Sequence, residues 1–128
     1  VLVAVGGGGF IGGIAGWFEG RTRVIGVEPA TSRALHAALE AGRPVPVEVK
    51  GIAADSLGAR QAGARMFPIA QRGVERVVLV DDAAIRSAQR LLWQEARIVA
   101  EPGGACALSA LLSGAYRPAA GERVGVLV

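Results

Sequence analysis

The chain is short of the side chains that carry most protein chemistry. It has one cysteine, Cys106, which excludes an intrachain disulfide framework and a cysteine-based zinc site. Its small neighbours Ala105 and Ala107 suit a buried helix position. It has one histidine, His36, with no second imidazole to complete a metal site or a catalytic triad. It has one lysine, Lys50, in a polar stretch before Gly51 that reads as solvated surface. Aromatic residues make up 5% of the chain, and the arginines are scattered among acids rather than gathered in a block. That pattern argues against a nucleic-acid surface, which needs clustered charge interleaved with aromatics. No apolar run approaches the roughly 20 residues needed to cross a bilayer, and no secretory signal pattern is present. Neither a nucleic acid nor a membrane is therefore expected as a partner.

What the chain has in abundance is glycine and small apolar residues. Hydrophobic residues make up 52% of 128 residues and charged residues 20%, the balance of one globular domain. Gly6 to Gly9 stand in a row between an apolar run, Val1 to Val5, and a helix-like stretch, Ile11 to Phe18. A glycine run at a strand-to-helix turn lets the backbone approach a ligand and points several N–H groups at one anion. The following helix start adds partial positive charge. The natural guest is a phosphate.

Four Val/Ile-rich runs, 1–5, 23–27, 76–80 and 123–128, lack polar alternation, as strands buried on both faces do. Helical patterns lie between them. One follows Thr31 or Ser32 and stops at Gly42. One runs from about Ser56 to Gln71, with Pro68 interrupting it. One opens at Asp81 and Asp82 and carries Ile85, Ala88, Leu92, Ala96 and Val99 on one stripe. A last one covers about Ala105 to Leu112. Strand–helix alternation predicts an α/β fold: a parallel sheet in three layers, with helices on both faces. Both ends lie inside apolar runs, so the sequence is expected to be a piece of a longer protein.

Two phosphate-site motifs can be tested on the residues alone. A P-loop requires G-x-x-x-x-G-K-[ST], and no Lys follows these glycines. A dinucleotide site finds G-x-G-x-x-G in Gly7, Gly9 and Gly12, with Glu28 further on to bind a ribose. That match is weak, because so many glycines meet the spacing easily. Against both stands a glycine turn that only packs helix on strand and holds no ligand.

Five ordered segments add a resemblance. Val3 to Ala15 resembles the tetraglycine phosphate loop of fold-type-II pyridoxal-phosphate enzymes, in particular the threonine/serine dehydratase and serine racemase group. Arg23 to Pro29 resembles that family's strand ending in V-E-P, and Gly51 to Leu57 its I-A-D-G/S segment. Val78 to Ile85 and Glu101 to Ala105 resemble its V-x-D/E-x-x-I and E-P-S-G-A pieces. The resemblance covers the whole chain as the C-terminal part of the larger cofactor-binding domain, 1–128.

The resemblance implies roles residue by residue. Gly6, Gly7, Gly8, Gly9 and Phe10 would hold the phosphate of pyridoxal 5'-phosphate through backbone N–H groups. Asp55 and Glu101 would lie beside the cofactor. Glu28 and Ser32 match a site for a divalent or monovalent cation, although its other acid falls near Ala34, which cannot ligate. Gly103 stands where Ser or Thr is usual. No segment places the cofactor-bearing lysine at Lys50, so the catalytic lysine is absent from this chain. The implied activity is a lyase that converts L-threonine or L-serine to a 2-oxo acid and ammonia in a cytoplasmic homo-oligomer, dimer or tetramer. A serine racemase-like enzyme is the alternative within the family, and a nicotinamide-binding Rossmann module the alternative outside it.

Overall fold

The computed structural model describes residues 1–128. Strand β1 (Leu2–Ala4) leads through the glycine turn into α1 (Gly9–Phe18), and β2 (Val24–Pro29) leads into α2 (Ala34–Ala41). One turn of helix, α3 (Ala54–Leu57), precedes α4 (Phe67–Gly73) and β3 (Val74–Val80). The chain finishes with α5 (Asp82–Ala96) and α6 (Pro102–Leu112). The sheet is parallel, ordered β1-β2-β3, with Leu2 opposite Ile25 and Glu28 opposite Leu79.

β2 is central, and all six of its residues are buried. Its side chains alternate between two cores, as strand geometry requires. Ile25 and Val27 join Leu2, Ile85, Ala88, Ala105 and Ala107 on the α5–α6 side. Val24 joins Val3, Ile11, Leu35, Phe67 and Ala70 on the α1–α2–α4 side. Helices therefore cover both faces, the three-layer arrangement expected from the alternation of elements.

Three details depart from the sequence expectations. The run 123–128 forms only a single parallel bridge, Val126 to Leu2. Leu2 N–H donates to Gly125 O at 2.8 Å and Leu127 N–H to Leu2 O at 3.2 Å. The stretch expected as one helix over Ser56 to Gln71 is instead two short helices with an irregular segment between. Pro68 lies in the first turn of α4, where its missing N–H costs no helical bond, so it opens a helix rather than ending one. The α5 stripe stops early: Arg97 takes φ of 56° just past Ala96, and Val99 is left 85% exposed.

Candidate functional site

β1 ends at Ala4, and the sheet's parallel direction brings three more segments to the same end. The resulting cleft, about 460 Å³, is walled by Gly6 to Ile11, by Ser56 and Leu57, by Glu101, Gly103 and Gly104, and by Leu127 and Val128. Parallel sheets place ligand crevices at the carboxyl ends of their strands for this reason.

The glycine turn forms one wall with its backbone. No amide from Gly6 to Ile11 donates to another backbone group; the first helical donor is Gly12 N–H, to Gly8 O at 2.9 Å. Gly8 has φ of 89°, a left-handed conformation that favours glycine. Behind the turn, Gly63 N–H donates to Gly7 O at 3.0 Å, and a Cβ on Gly8 would overlap Met66. A Cβ on Gly6 would stand 3.2 Å from Leu57 Cα and 3.3 Å from Ser56 O. The turn is therefore held from behind by 63–66 and from the side by α3, while its amides have no protein partner. Backbone donors at the start of α1 suit an anion with several oxygens.

Glu101 is the N-cap residue of α6 and lies on the cleft wall, exposed and with no capping hydrogen bond from its side chain. Asp55 is exposed in α3 and lies outside the lining; its neighbour Ser56 takes the wall. A segment match gives a stretch of chain but not which side chain a single helical turn will aim inward. Leu57, Leu127, Val128 and the supporting Met66 had no legible signal either.

Glu28 and Ser32 lie away from the cleft wall, and both are buried. Glu28 sits at the end of β2 with its Oε1 and Oε2 accepting from Leu35 and His36 N–H, each at 2.8 Å. It thus caps α2 from the strand, in place of the side chain of Thr31 or Ser32 that the sequence suggests. Burial pushes its carboxyl up to about 7, against the opposing pull of the two amides. Ser32 Oγ donates to Leu57 O at 2.9 Å, tying α3 to the β2–α2 turn. No three His, Cys, Asp or Glu side chains come together. A buried, capping Glu28 is also out of reach of a ribose.

The remaining rare residues stand outside the cleft. Lys50 is exposed and pairs with Glu48 at 2.8 Å. His36 is half-buried, 3.3 Å from Glu40. Cys106 is fully buried, and burial pushes its thiol up to about 12, so it holds no thiolate near neutral pH.

Comparison with known proteins agrees with this geometry. The family model described as pyridoxal-phosphate dependent enzyme matches residues 1–128. A phenylserine dehydratase of Ralstonia pickettii is 37% identical over 131 residues, which take in 100% of this chain and 40% of that protein. An L-threonine ammonia-lyase of Geobacter sulfurreducens is 36% identical, over 99% of this chain and 32% of its own. The chain thus spans well under half the length of these relatives. Among solved structures, a threonine deaminase from T.th. superposes with a TM-score of 0.84 at 36% identity, covering 91% of this chain and 44% of that one. Maize serine racemase superposes with a TM-score of 0.78 at 28% identity, covering 85% and 35%. With every residue inside the family model and the same fold in its structural neighbours, the chain belongs to the family of pyridoxal-phosphate-dependent enzymes.

Proposed function

We propose that this chain is the phosphate-holding part of a threonine/serine ammonia-lyase, an enzyme that converts L-threonine or L-serine to a 2-oxo acid and ammonia. The observation that carries the reading is the row of amides from Gly6 to Ile11, free of backbone partners at the mouth of a cleft. Pyridoxal phosphate fits that cradle by chemistry: a phosphate needs several converging donors and no bulk between them. Gly6, Gly7, Gly8, Gly9 and Phe10 would hold the phosphate through N–H groups. Ser56, Leu57, Gly103 and Gly104 would flank the rest of the molecule. When bound, the cofactor supplies an electron sink for the pair left by removal of a substrate's α-proton. This chain's residues bind and orient it and shield one side from water.

The names of the relatives support the reaction. They act, by those names, on phenylserine and L-threonine, both 3-hydroxy amino acids. The serine racemase neighbour keeps racemisation as a second outcome of the same proton removal. Glu28 and Ser32 belong to this proposal as the flank of a cation site, with Glu28 already engaged by α2. Asp55 and Glu101 belong to it as polar groups at the edge of the cofactor's binding region. The working enzyme is proposed as a cytoplasmic homo-oligomer.

The test uses the longer protein proposed to include this chain together with the cofactor-bearing lysine that the chain lacks, supplied with pyridoxal phosphate. It should release 2-oxobutanoate from L-threonine or pyruvate from L-serine. Inorganic phosphate should shift the amide signals of Gly6 to Phe10. Protein that releases neither product, and whose glycine amides ignore phosphate, would overturn the reading.

A further inference from the structure

The cleft has two walls that compete for one side-chain volume. Ser56 lies on α3 and Gly103 in the first turn of α6, and both line the cleft. A Cβ built on Gly103 would overlap Ser56 Oγ and lie 3.0 Å from Ser56 Cβ and 3.3 Å from Leu57 Cγ. Leu57 is tied in place, since Ser32 Oγ donates to its carbonyl and a Cβ on Gly6 would stand only 3.2 Å from its Cα. The Ser56 hydroxyl therefore occupies space that exists only because residue 103 has no side chain.

That hydroxyl has no structural employment. Ser87 in α5, Ser109 in α6 and Ser113 at the C-cap of α6 each donate to a carbonyl of that same helix, at 2.9, 2.7 and 2.8 Å. Ser56 Oγ makes no hydrogen bond within the protein, although it stands on a cleft wall beside the glycine turn. Its backbone O stands 3.3 Å from where a Cβ on Gly6 would be, so residue 56 adjoins the start of the glycine turn while its hydroxyl lies toward Gly103.

We infer that the Ser56 hydroxyl is a direct hydrogen-bonding contact for the molecule bound in this cleft, and that Gly103 is the residue that makes room for it. The inference rests on the reading of the cleft as a pyridoxal phosphate site, and it adds a contact from outside the phosphate cradle. Ser56 and Gly103 then act as one specificity-determining pair: the cleft takes one hydroxyl, from one wall or the other. The pair bears on the body of the ligand, while inorganic phosphate is held by Gly6 to Phe10 alone.

The experiment measures dissociation constants for pyridoxal phosphate and for inorganic phosphate in parent protein and four variants. Ser56→Ala should weaken pyridoxal phosphate about fivefold, the loss of one neutral hydrogen bond, and leave inorganic phosphate within twofold. Gly103→Ser alone should weaken pyridoxal phosphate at least as much, because two side chains meet in one volume. The double variant Ser56→Gly/Gly103→Ser moves the hydroxyl to the other wall and should recover most of the parent affinity. Ser56→Gly/Gly103→Ala restores the space without a hydroxyl and should recover none. Thermal midpoints accompany each variant, and Ser56→Ala, at an exposed position, keeps the fold. If the parent binds both ligands and Ser56→Ala binds pyridoxal phosphate equally well, the inference fails while the cofactor reading stands. A Ser/Gly exchange that binds no better than Ser56→Gly/Gly103→Ala overturns the inference too. A parent that binds neither ligand overturns the cofactor reading itself.

Discussion

Gly8 turns the chain from strand to helix with φ of 89° and has Met66 Sδ 2.7 Å from where a Cβ would stand. An L side chain there meets two penalties at once, a left-handed backbone and an occupied volume. Gly8→Ala should lower stability by about 1–3 kcal/mol and weaken phosphate binding together with it, because strain relief would re-aim the amides of Gly9 and Phe10. Urea unfolding and a phosphate titration on the same samples check this. Unchanged values in both would mean that the turn is slack and the cradle not pre-formed. Gly9 offers the matched control for stability alone, since a Cβ there meets nothing within 4 Å.

Glu28 carries a pH signature. Its folded-state carboxyl is raised from the ordinary 4.5 to about 7, chiefly by burial. Between those values the folded state binds a proton that the unfolded chain has released, so stability falls as pH rises. The contribution is full below about 4.5 and gone above about 7. Glu28→Gln should flatten that part of the stability–pH curve while keeping one acceptor for the α2 amides. Thermal midpoints recorded across the window decide it, and an identical slope in the variant would assign the effect elsewhere.

At the scale of elements, α5 shows what capping does here. Asp81 sits outside the helix in extended conformation, and its Oδ1 accepts from Ala84 N–H at 2.7 Å. Asp81→Ala should cost about 1 kcal/mol, read as a lower denaturation midpoint with unchanged phosphate affinity, because α5 contributes nothing to the cleft wall. A loss of affinity would reveal a coupling through α6, which packs on α5 and carries Gly103 and Gly104 to the wall.

This helix was readable in the sequence because its signals are local: an Asp pair, then Ile85, Ala88 and Leu92 at helical spacing. The glycine turn was readable for the same reason. α2 looked equally clear, with Thr31 and Ser32 before it, yet its amides are satisfied by Glu28 from the preceding strand. A cap delivered from another element leaves no mark at the helix start. The 56–71 stretch failed as one helix because Gly58 and Gly63 weaken the middle and Pro68 serves as a start signal. The site divided likewise. Its backbone cradle follows from composition, whereas the choice of Ser56 over Asp55 depends on how one helical turn is rotated. That rotation is fixed by tertiary contacts, the burial of Ala53 and Leu57 and the hydrogen bond from Ser32 to Leu57.

For the molecule as a whole, the bridge from Leu2 to Val126 joins residues from opposite ends of the chain. Tyr116 and Glu122 steady the returning segment: the phenol donates to Glu122 Oε1 at 2.6 Å, and Ala119 N–H to Oε2 at 2.8 Å. Arg23 on the neighbouring strand connection pairs with the same carboxylate. Closing so large a loop carries the greatest entropy cost of any contact in the sheet, and a single bridge returns little for it. The edge should therefore be the last part to assemble during folding and the first to open. Leu127 and Val128, which follow the bridge, are also cleft wall. A guest in the cleft would consequently act as a kinetic latch on the chain's two ends. Saturating phosphate or pyridoxal phosphate should slow hydrogen exchange at Leu127 N–H more than at any amide of β2. Equal slowing across the sheet would show instead that the edge opens only with the whole fold.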